Sequence, residues 1–376
     1  MTERDPLRDI IGTCAAQIGA IVTPILSPLI IGGLVVGLNT GEIEAGSLIT
    51  VELMVLGITS IVIAPFIVRV PHHILAIAAA IILILSFVLS AVSTDIEQLY
   101  MWRILAGLAG GALMATVNAA IAQARSSTFL YGLSWAVAYT VTAILAIAIT
   151  KTNDVVSYDS VYYALAIAMA IALPFLWLVP RHGGKTEAAP FPRDSIAVGC
   201  LLLCGIILIG TSMMAYYAFL VQMALNIGAS AANTGWLVAI AQIGGIIGGL
   251  LASPLANKFS VIKTLVVSCL VHMCAIAIAV LTDDMIVLGL AVFAEATLFI
   301  TITPLMLTLA ANIDKKGRWA AAAGGAFIIS TAFGPIVGAA LIETKDYASI
   351  AWLQVLGTLP AIYIFVRVNK NSCTTD

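Results

Sequence analysis

The sequence predicts an all-α integral membrane protein with twelve transmembrane helices. Hydrophobic residues make up 61% of the chain and charged residues only 10%, whereas a soluble domain carries roughly 25% charged residues. The mean hydropathy is +1.10. Twelve apolar stretches each come near the roughly 20 residues that a helix needs to cross lipid. These stretches, called spans 1 to 12, are residues 10–38, 45–68, 74–93, 99–124, 129–150, 160–180, 195–226, 232–255, 262–281, 284–311, 318–343 and 347–368.

The lysines and arginines alternate between the loops in a way that predicts the orientation. With the N-terminus in the cytoplasm, 14 of the 17 basic residues fall in cytoplasmic segments. Lys151 and Lys345 fall in outer loops, and Arg103 falls inside a span. Because cytoplasmic loops of membrane proteins are rich in Lys and Arg, we expect both termini to be cytoplasmic. Short loops and the absence of an N-x-[ST] sequon fit a bacterial cytoplasmic (inner) membrane.

A polar interruption divides the twelve spans into six and six. The segment 180–194 (PRHGGKTEAAPFPRD) contains three prolines and two adjacent glycines. It predicts an N-terminal six-helix bundle over 1–179, a cytoplasmic linker over 180–194 and a C-terminal six-helix bundle over 195–376. An offset of 189 residues superposes Ala64–Arg69 on Ser253–Lys258, at the ends of spans 2 and 8. This match favours two pseudo-symmetric bundles that arose as parallel repeats.

The segment after span 8 resembles a loop motif of the major facilitator superfamily. Ser253–Lys263 (SPLANKFSVIK) is similar to the motif G-x-L-a-D-R-x-G-R-R, with Asn257 at the acidic position and Ser260 at the second glycine. The first copy, Ala64–His73, keeps Arg69, and neither copy has the acidic residue. The resemblance extends over the whole chain through the twelve spans, the division into halves and the basic central loop. It implies the fold of that superfamily and transport by alternating access.

Span 4 resembles a second motif of the same superfamily, R-x-x-x-G-x-x-x-G. At 100° per residue, one side of the span carries Arg103, Gly107, Gly111, Met114 and Asn118. The resemblance implies that Arg103 takes part in proton coupling or in binding an anionic substrate. The alternative is a plain packing face in which the two glycines let another helix approach closely.

Three ionisable side chains lie well inside predicted spans, namely Glu52, Arg103 and Glu295. A charge near the bilayer centre costs at least about 2.5 kcal/mol, so these residues are candidates for proton coupling. Glu52 and Arg103 have similar depths, which allows an ion pair, and we expect Glu52 to orient Arg103; a static structural pair is the alternative. Glu295 lies about 16 Å into span 10. We expect it to bind and release the coupling proton, since burial disfavours a charged carboxylate, although a permanently protonated acid is the alternative.

Other polar and small residues are candidates for solute binding or gating. His272 in span 9 is expected to be a buried bystander rather than a proton relay. We expect polar side chains from spans 1, 4, 5, 7 and 8 to bind the solute: Gln17, Asn118, Tyr139, Tyr216, Tyr217, Gln222 and Gln242. Helix packing and gating are assigned to Pro24, Pro28, Gly107, Gly111, Gly334, Pro335 and Gly338, because proline frees backbone carbonyls and glycine permits close approach.

Taken together, these features predict a secondary active transporter for a small organic solute, coupled to protons. An uncoupled facilitator and, less favoured, a drug/proton antiporter are the alternatives; span 5 lacks the glycine and proline pattern typical of such antiporters. A membrane-embedded transferase is disfavoured because the four histidines are scattered. No nucleotide-binding G-x-x-x-x-G-K-[ST] motif occurs. We expect no enzyme activity, no cofactor, no metal site and no nucleic-acid partner, and a monomer in the lipid bilayer.

Overall fold

The computed structural model describes residues 5–38, 40–152, 158–181, 191, 193–228, 231–344 and 347–372. Within these ranges the side chains of 36, 42, 150–152, 193–194, 221–222, 231–235, 238, 343–344 and 371–372 lie outside the description. Most of the predicted linker, residues 182–190 and 192, also lies outside it.

The described part of the chain contains twelve helices that are long and apolar enough to cross a membrane. The fold is all-α, which confirms the predicted class and the predicted number of spans. The helices are α1 (Leu7–Leu38), α2 (Glu42–Ile63), α3 (His72–Val92), α4 (Ile96–Ala122), α5 (Ser127–Thr152), α6 (Tyr158–Ala172), α7 (Arg193–Ala218), α8 (Leu220–Asn226), α9 (Ala231–Phe259), α10 (Val261–Leu281), α11 (Met285–Ile313), α12 (Arg318–Thr344) and α13 (Ala348–Ser372). Spans 1 to 7 correspond to α1 to α7, and spans 8 to 12 to α9 to α13.

Two spans end in a tighter helix that begins next to a proline. The 3₁₀ segments are Ala64–Arg69 at the end of span 2 and Leu173–Leu178 at the end of span 6, each with a proline in its first two positions. Proline lacks a backbone N–H and so removes a bond of the α-helical ladder. By contrast α9 stays α-helical through Pro254. The two copies of the repeated motif therefore end their spans in different helix types.

Span 7 is shorter than predicted because its helix stops at Ala218. Phe219 leaves the helical conformation, and its N–H bonds to the carbonyl of Tyr216 at 3.1 Å, which closes a tight turn. The ring of Phe219 lies against Gly338 of α12, where a Cβ atom would come within 2.9 Å of it. The remainder of the predicted span forms the separate seven-residue helix α8.

Matching caps begin the fourth and tenth spans. Asp95 accepts a hydrogen bond from the N–H of Glu97 at 3.1 Å, and Asp284 accepts bonds from Ile286 and Val287 at 2.7 and 3.0 Å. A side-chain oxygen at this position satisfies N–H groups that the first helical turn leaves free. The two aspartates are 189 residues apart, which is the offset of the sequence repeat, so α4 and α11 start at equivalent places.

The link between α9 and α10 contains a strained residue. Ser260 has φ 78° and ψ 153°, a region that only glycine adopts at low cost. This is the position at which the loop motif of the resembled superfamily has its second glycine. The backbone at Ser260 therefore follows a path for which glycine is the better residue.

The chain forms two compact units. Unit 1 contains residues 1–126, 137–191 and 315–328, and unit 2 contains residues 127–136, 192–314 and 329–376. Both α5 and α12 thus contribute one segment to each unit. In unit 1 the glycines of α4 pack against α2. In unit 2 an apolar core joins buried residues of α7 to α11 and α13, including Tyr216, Leu237, Ile276, Val292 and Ile350.

Candidate functional site: two buried ionic pairs

In unit 1, Arg103 forms a closed ion pair with Glu52. Its Nη1 atom lies 3.4 Å from Oε2 of Glu52, and the two side chains are 0% and 1% exposed. Its Nη2 atom donates to the hydroxyl of Ser90 at 2.6 Å and to the carbonyl of Ser86 at 3.1 Å. The guanidinium group is thereby held between α2 and α3.

Aromatic rings cover the same guanidinium group. Its central carbon lies 4.4 Å from the ring centre of Tyr162 and 5.3 Å from that of Phe87. A cation over an aromatic face is attracted to it, more strongly when both are removed from water. The hydroxyl of Thr23 in α1 also lies beside Glu52. Side chains from α1, α2, α3 and α6 therefore surround Arg103, and no side of it faces open space.

The glycines of α4 explain why the pair can form. A Cβ atom on Gly107 would lie 2.7 Å from the carbonyl oxygen of Glu52, and one on Gly111 would lie 2.5 Å from that of Leu56. Only glycine permits the backbones of α2 and α4 to approach this closely. Arg103 lies one turn before Gly107 on α4, so its side chain reaches the carboxylate of Glu52.

In unit 2, Glu295 of α11 lies beside His272 of α10. The atoms Oε1 of Glu295 and Nε2 of His272 are 3.4 Å apart, and the two side chains are 3% and 0% exposed. No other hydrogen bond of the Glu295 carboxyl group occurs among the described residues. An imidazole can be neutral or charged, unlike a guanidinium, which is always charged.

Two phenol groups from α7 also lie near Glu295. Tyr216 and Tyr217 both interact electrostatically with Glu295. Tyr216 is buried, and its hydroxyl finds no hydrogen-bond partner among the described residues. The Nδ1 atom of His272 is likewise buried without a partner there. The pair and the Tyr216 hydroxyl thus form a polar group inside the apolar core of unit 2.

The expectation that His272 is a bystander missed its contact with Glu295, although the sequence contains a signal for it. His272 is nine residues from the C-terminal end of α10, and Glu295 is ten residues from the N-terminal end of α11. The two helices follow one another and run in opposite directions, so equal depth favours contact. The same comparison of depths indicated the pairing of Glu52 and Arg103.

The candidate solute-binding residues are divided between the two units. Gln17 in α1 is buried, and neither amide atom finds a partner among the described residues. Asn118 donates to the carbonyl of Met114 at 2.9 Å and packs against Gly324. Tyr139 is half-buried in α5.

Unit 2 contains the remaining solute-binding candidates, from spans 7 and 8. Tyr216 is buried and Tyr217 is half-buried, and both lie near Glu295. Gln242 is half-buried in α9, with its Oε1 atom buried and without a partner in the described part of the chain. The side chain of Gln222 lies outside the described residues.

The candidate packing and gating residues all lie within helices. Pro24 and Pro28 lie in α1, which runs without interruption from Leu7 to Leu38. In α12, Gly334 lies against Met214 and Gly338 against Ala215 and Phe219, so the segment around Pro335 packs closely on α7.

The described residues contain no group of three or more His, Cys, Asp or Glu side chains that could hold a metal ion. The chemistry that the buried carboxyl and imidazole groups can perform is the binding and release of a proton.

Residues 201–372 match the family model described as the Major Facilitator Superfamily, and the chain has the fold of solved transporters of that superfamily. Residues 201–372 thus match this superfamily in sequence, and the chain as a whole shares its fold.

Solved structures of major facilitator transporters align with nearly the whole chain. The human organic anion transporter MFSD10 (TETRAN) is 11% identical, with a TM-score of 0.76 over 96% of this chain and 100% of its own. The fucose:proton symporter FucP of E. coli, in the outward conformation, is 14% identical, with a TM-score of 0.73 over 96% and 98%. The proton:xylose symporter XylE is 17% identical, with a TM-score of 0.69 over 96% and 94%. At these identities the likeness shows the major facilitator fold. No curated protein matches the sequence.

Proposed function

We propose that the protein is a member of the major facilitator superfamily and a proton-coupled secondary transporter that moves a small organic solute by alternating access. The observation that carries the proposal is the Glu295 carboxyl group, which is buried beside a titratable imidazole. Burial disfavours a lone charged carboxylate, so loss of its proton depends on how much water reaches it. A site whose proton affinity changes with access to water is what coupling of transport to protons requires.

Glu52 is less suited to carry the coupling proton because it faces a permanently charged arginine. A neutral Glu52 would leave the buried guanidinium of Arg103 without a counterion, which is strongly unfavourable. We therefore assign Glu52 and Arg103 the role of a fixed pair that holds α2 and α4 together. We assign Glu295, together with its surroundings, to the proton-binding site.

The pairing of charges also favours an uncharged solute. Each charged residue deep within a span lies beside an ionisable partner in its own unit, Arg103 beside Glu52 and Glu295 beside His272. A charged solute would find no unpaired counterion among these groups. A neutral, polar organic molecule would instead bind through an amide such as that of Gln17 or of Gln242, each with a buried atom that lacks a partner among the described residues. The solutes of FucP and XylE, fucose and xylose, are of this kind.

The same proposal includes the surroundings of the protein. The distribution of lysine and arginine supports both termini in the cytoplasm, and the short loops without an N-x-[ST] sequon fit a bacterial cytoplasmic membrane. The polar segment 180–194 supports six-helix bundles over 1–179 and 195–376, which it would join. We propose that the monomer is the transporting species, with the solute and protons as its partners.

Transport in proteoliposomes tests the proposal. A thermal-shift screen of the purified protein against neutral sugars, polyols, organic acids and amines identifies a solute, and flux is then measured under an imposed pH gradient. We expect wild-type protein to accumulate a neutral solute against its gradient, and a protonophore to stop this accumulation. We expect Glu295→Gln to abolish the accumulation and to keep solute exchange in the absence of a pH gradient.

Glu97→Gln provides the matched control because Glu97 is an exposed acid in the first turn of α4. It should leave accumulation unchanged. If Glu295→Gln retains proton-driven accumulation at the wild-type level, Glu295 is not the coupling residue. If the wild-type protein equilibrates the solute without accumulating it under any pH gradient, the protein is an uncoupled facilitator.

A further inference from the structure

The buried contact between His272 and Glu295 allows both residues to hold the same proton. Their facing atoms are 3.4 Å apart, and each side chain is almost fully removed from solvent. Ionisable groups in direct contact can gain and lose protons as a pair rather than one by one.

The other ionisable groups around the pair are neutral at physiological pH. Tyr216 and Tyr217 face it from α7, and Cys269 lies one turn before His272 on α10. The ionisable residues of α9 and α13 lie in the last three turns of those helices: Lys258, Tyr363, Arg367 and Lys370. No charged side chain other than the two members of the pair is therefore near it in the described part of unit 2.

The cost of a net charge in the apolar core determines how many protons the pair holds. With no proton the pair carries one negative charge, with two protons it carries one positive charge, and with one proton it is neutral. A net charge is costly in an apolar core, so the state with one proton is favoured over a wide pH range. In the state with one proton, the pair consists either of an imidazolium and a carboxylate, whose charges cancel, or of a neutral imidazole and a carboxylic acid.

We propose that His272 and Glu295 form one proton-binding pair, in which His272 carries the coupling proton and Glu295 is its counterion. This inference rests on the proposed function, because it names the second residue of the proton site. In this arrangement His272 acts with Glu295 and the two cannot be assigned separate proton-binding steps. When water or a polar solute enters beside the pair, the negatively charged state that holds no proton becomes less costly. The pair then releases its proton.

Infrared difference spectroscopy of the purified, solute-free protein tests the pair directly. A protonated carboxyl group has a C=O stretching band that a carboxylate lacks. We expect no such band from Glu295 in the wild-type protein at neutral pH. In His272→Gln the carboxyl group must take the proton itself, so the band appears, and it is absent from the double variant His272→Gln with Glu295→Gln. The midpoint of proton release should also change, because the carboxyl group then holds the proton in place of the imidazole.

Control and rescue variants make the outcome decisive. His73→Gln replaces a histidine in the first turn of α3 that packs against Trp177. This variant should change neither the band nor the midpoint. If His272→Gln does not fold, the exchanged pair His272→Glu with Glu295→His preserves one imidazole and one carboxylate and should restore a single proton site with the wild-type midpoint. An unchanged spectrum and midpoint in His272→Gln, or an exchanged pair that folds without a shared proton site, would overturn the inference.

The two proposals can fail separately. The spectra need no solute and no transport, so their failure leaves the effect of Glu295→Gln on accumulation as it was measured. If instead Glu295→Gln transports normally while the spectra show a shared proton, the pair exists but does not couple transport.

Discussion

Breaking the pair in unit 1 should destabilise the protein far more when one partner is removed than when both are. In Glu52→Gln the buried guanidinium of Arg103 loses its counterion but keeps the Ser90 hydroxyl at 2.6 Å, the Ser86 carbonyl at 3.1 Å and the ring of Tyr162 at 4.4 Å. Removing one partner of a buried pair lowers the free energy of unfolding by about 3 to 5 kcal/mol. Because these contacts of Arg103 remain, the cost of Glu52→Gln should lie near the lower end of this range. Arg103→Gln removes all of them and leaves the charge of Glu52 uncompensated, so its cost should lie near the upper end.

The double variant separates the ionic contribution from the rest. If the cost of each single variant comes mainly from the charge left behind, Glu52→Gln with Arg103→Gln should cost about as much as Arg103→Gln alone. The coupling energy would then be about 3 kcal/mol. The assay is unfolding of the detergent-solubilised protein in mixed micelles with rising denaturing detergent, followed by tryptophan fluorescence. A second cycle, with Ser47→Ala and Tyr100→Phe, breaks a neutral hydrogen bond between the same two helices and should give about 1 kcal/mol or less.

The reasoning would be refuted if the costs of Glu52→Gln and Arg103→Gln simply add, within about 0.5 kcal/mol. Additive costs would mean that the two side chains do not sense each other's charge. The contacts of Arg103 with Ser90 and Tyr162 would then account for its burial.

Three further predictions concern packing and the solute site. Ser260→Gly should stabilise the protein by about 1 to 3 kcal/mol, the usual cost of such a backbone conformation, and an unchanged unfolding midpoint would argue against strain at that link. Gly248→Ala should lower the unfolding midpoint because its Cβ would collide with the carbonyl oxygen of Thr297. In the control Gly289→Ala, the Cβ reaches no atom nearer than 4.0 Å and the midpoint should not change. Equal midpoints for the two variants would contradict the close packing at Gly248. Gln17→Leu should stabilise the solute-free protein by about 1 to 3 kcal/mol, since it removes a buried amide that has no partner among the described residues. It should also weaken solute binding in the thermal-shift assay. Unchanged binding would show that Gln17 is not part of the solute site.

The sequence predicted the spans closely because their apolar length is set by the membrane. The predicted ends of most helices lie within three or four residues of the observed ones. The exception is the end of span 7, where Phe219 turns the chain without a proline or glycine to mark the break. A turn that depends on a ring packing against a distant helix leaves no local pattern in the sequence.

The candidate site was less accessible to sequence reasoning. Depth along a helix can be read from residue numbers, and it indicated that Glu52 and Arg103 could meet. The direction in which a side chain points around its helix depends on which helices are neighbours, and this the sequence does not state. For that reason the contacts of Arg103 with Ser90 and Tyr162, and of Glu295 with His272, became visible only in the folded protein.

The aspartate caps show that α4 and α11 begin at equivalent positions of the two sequence copies. The ionic groups buried in the two copies nevertheless differ in kind. One copy contains a guanidinium whose charge is permanent, and the other an imidazole whose charge changes between pH 5 and 8. In the proposed scheme only the second copy therefore exchanges protons, and equivalent helices of the two copies take different roles in transport.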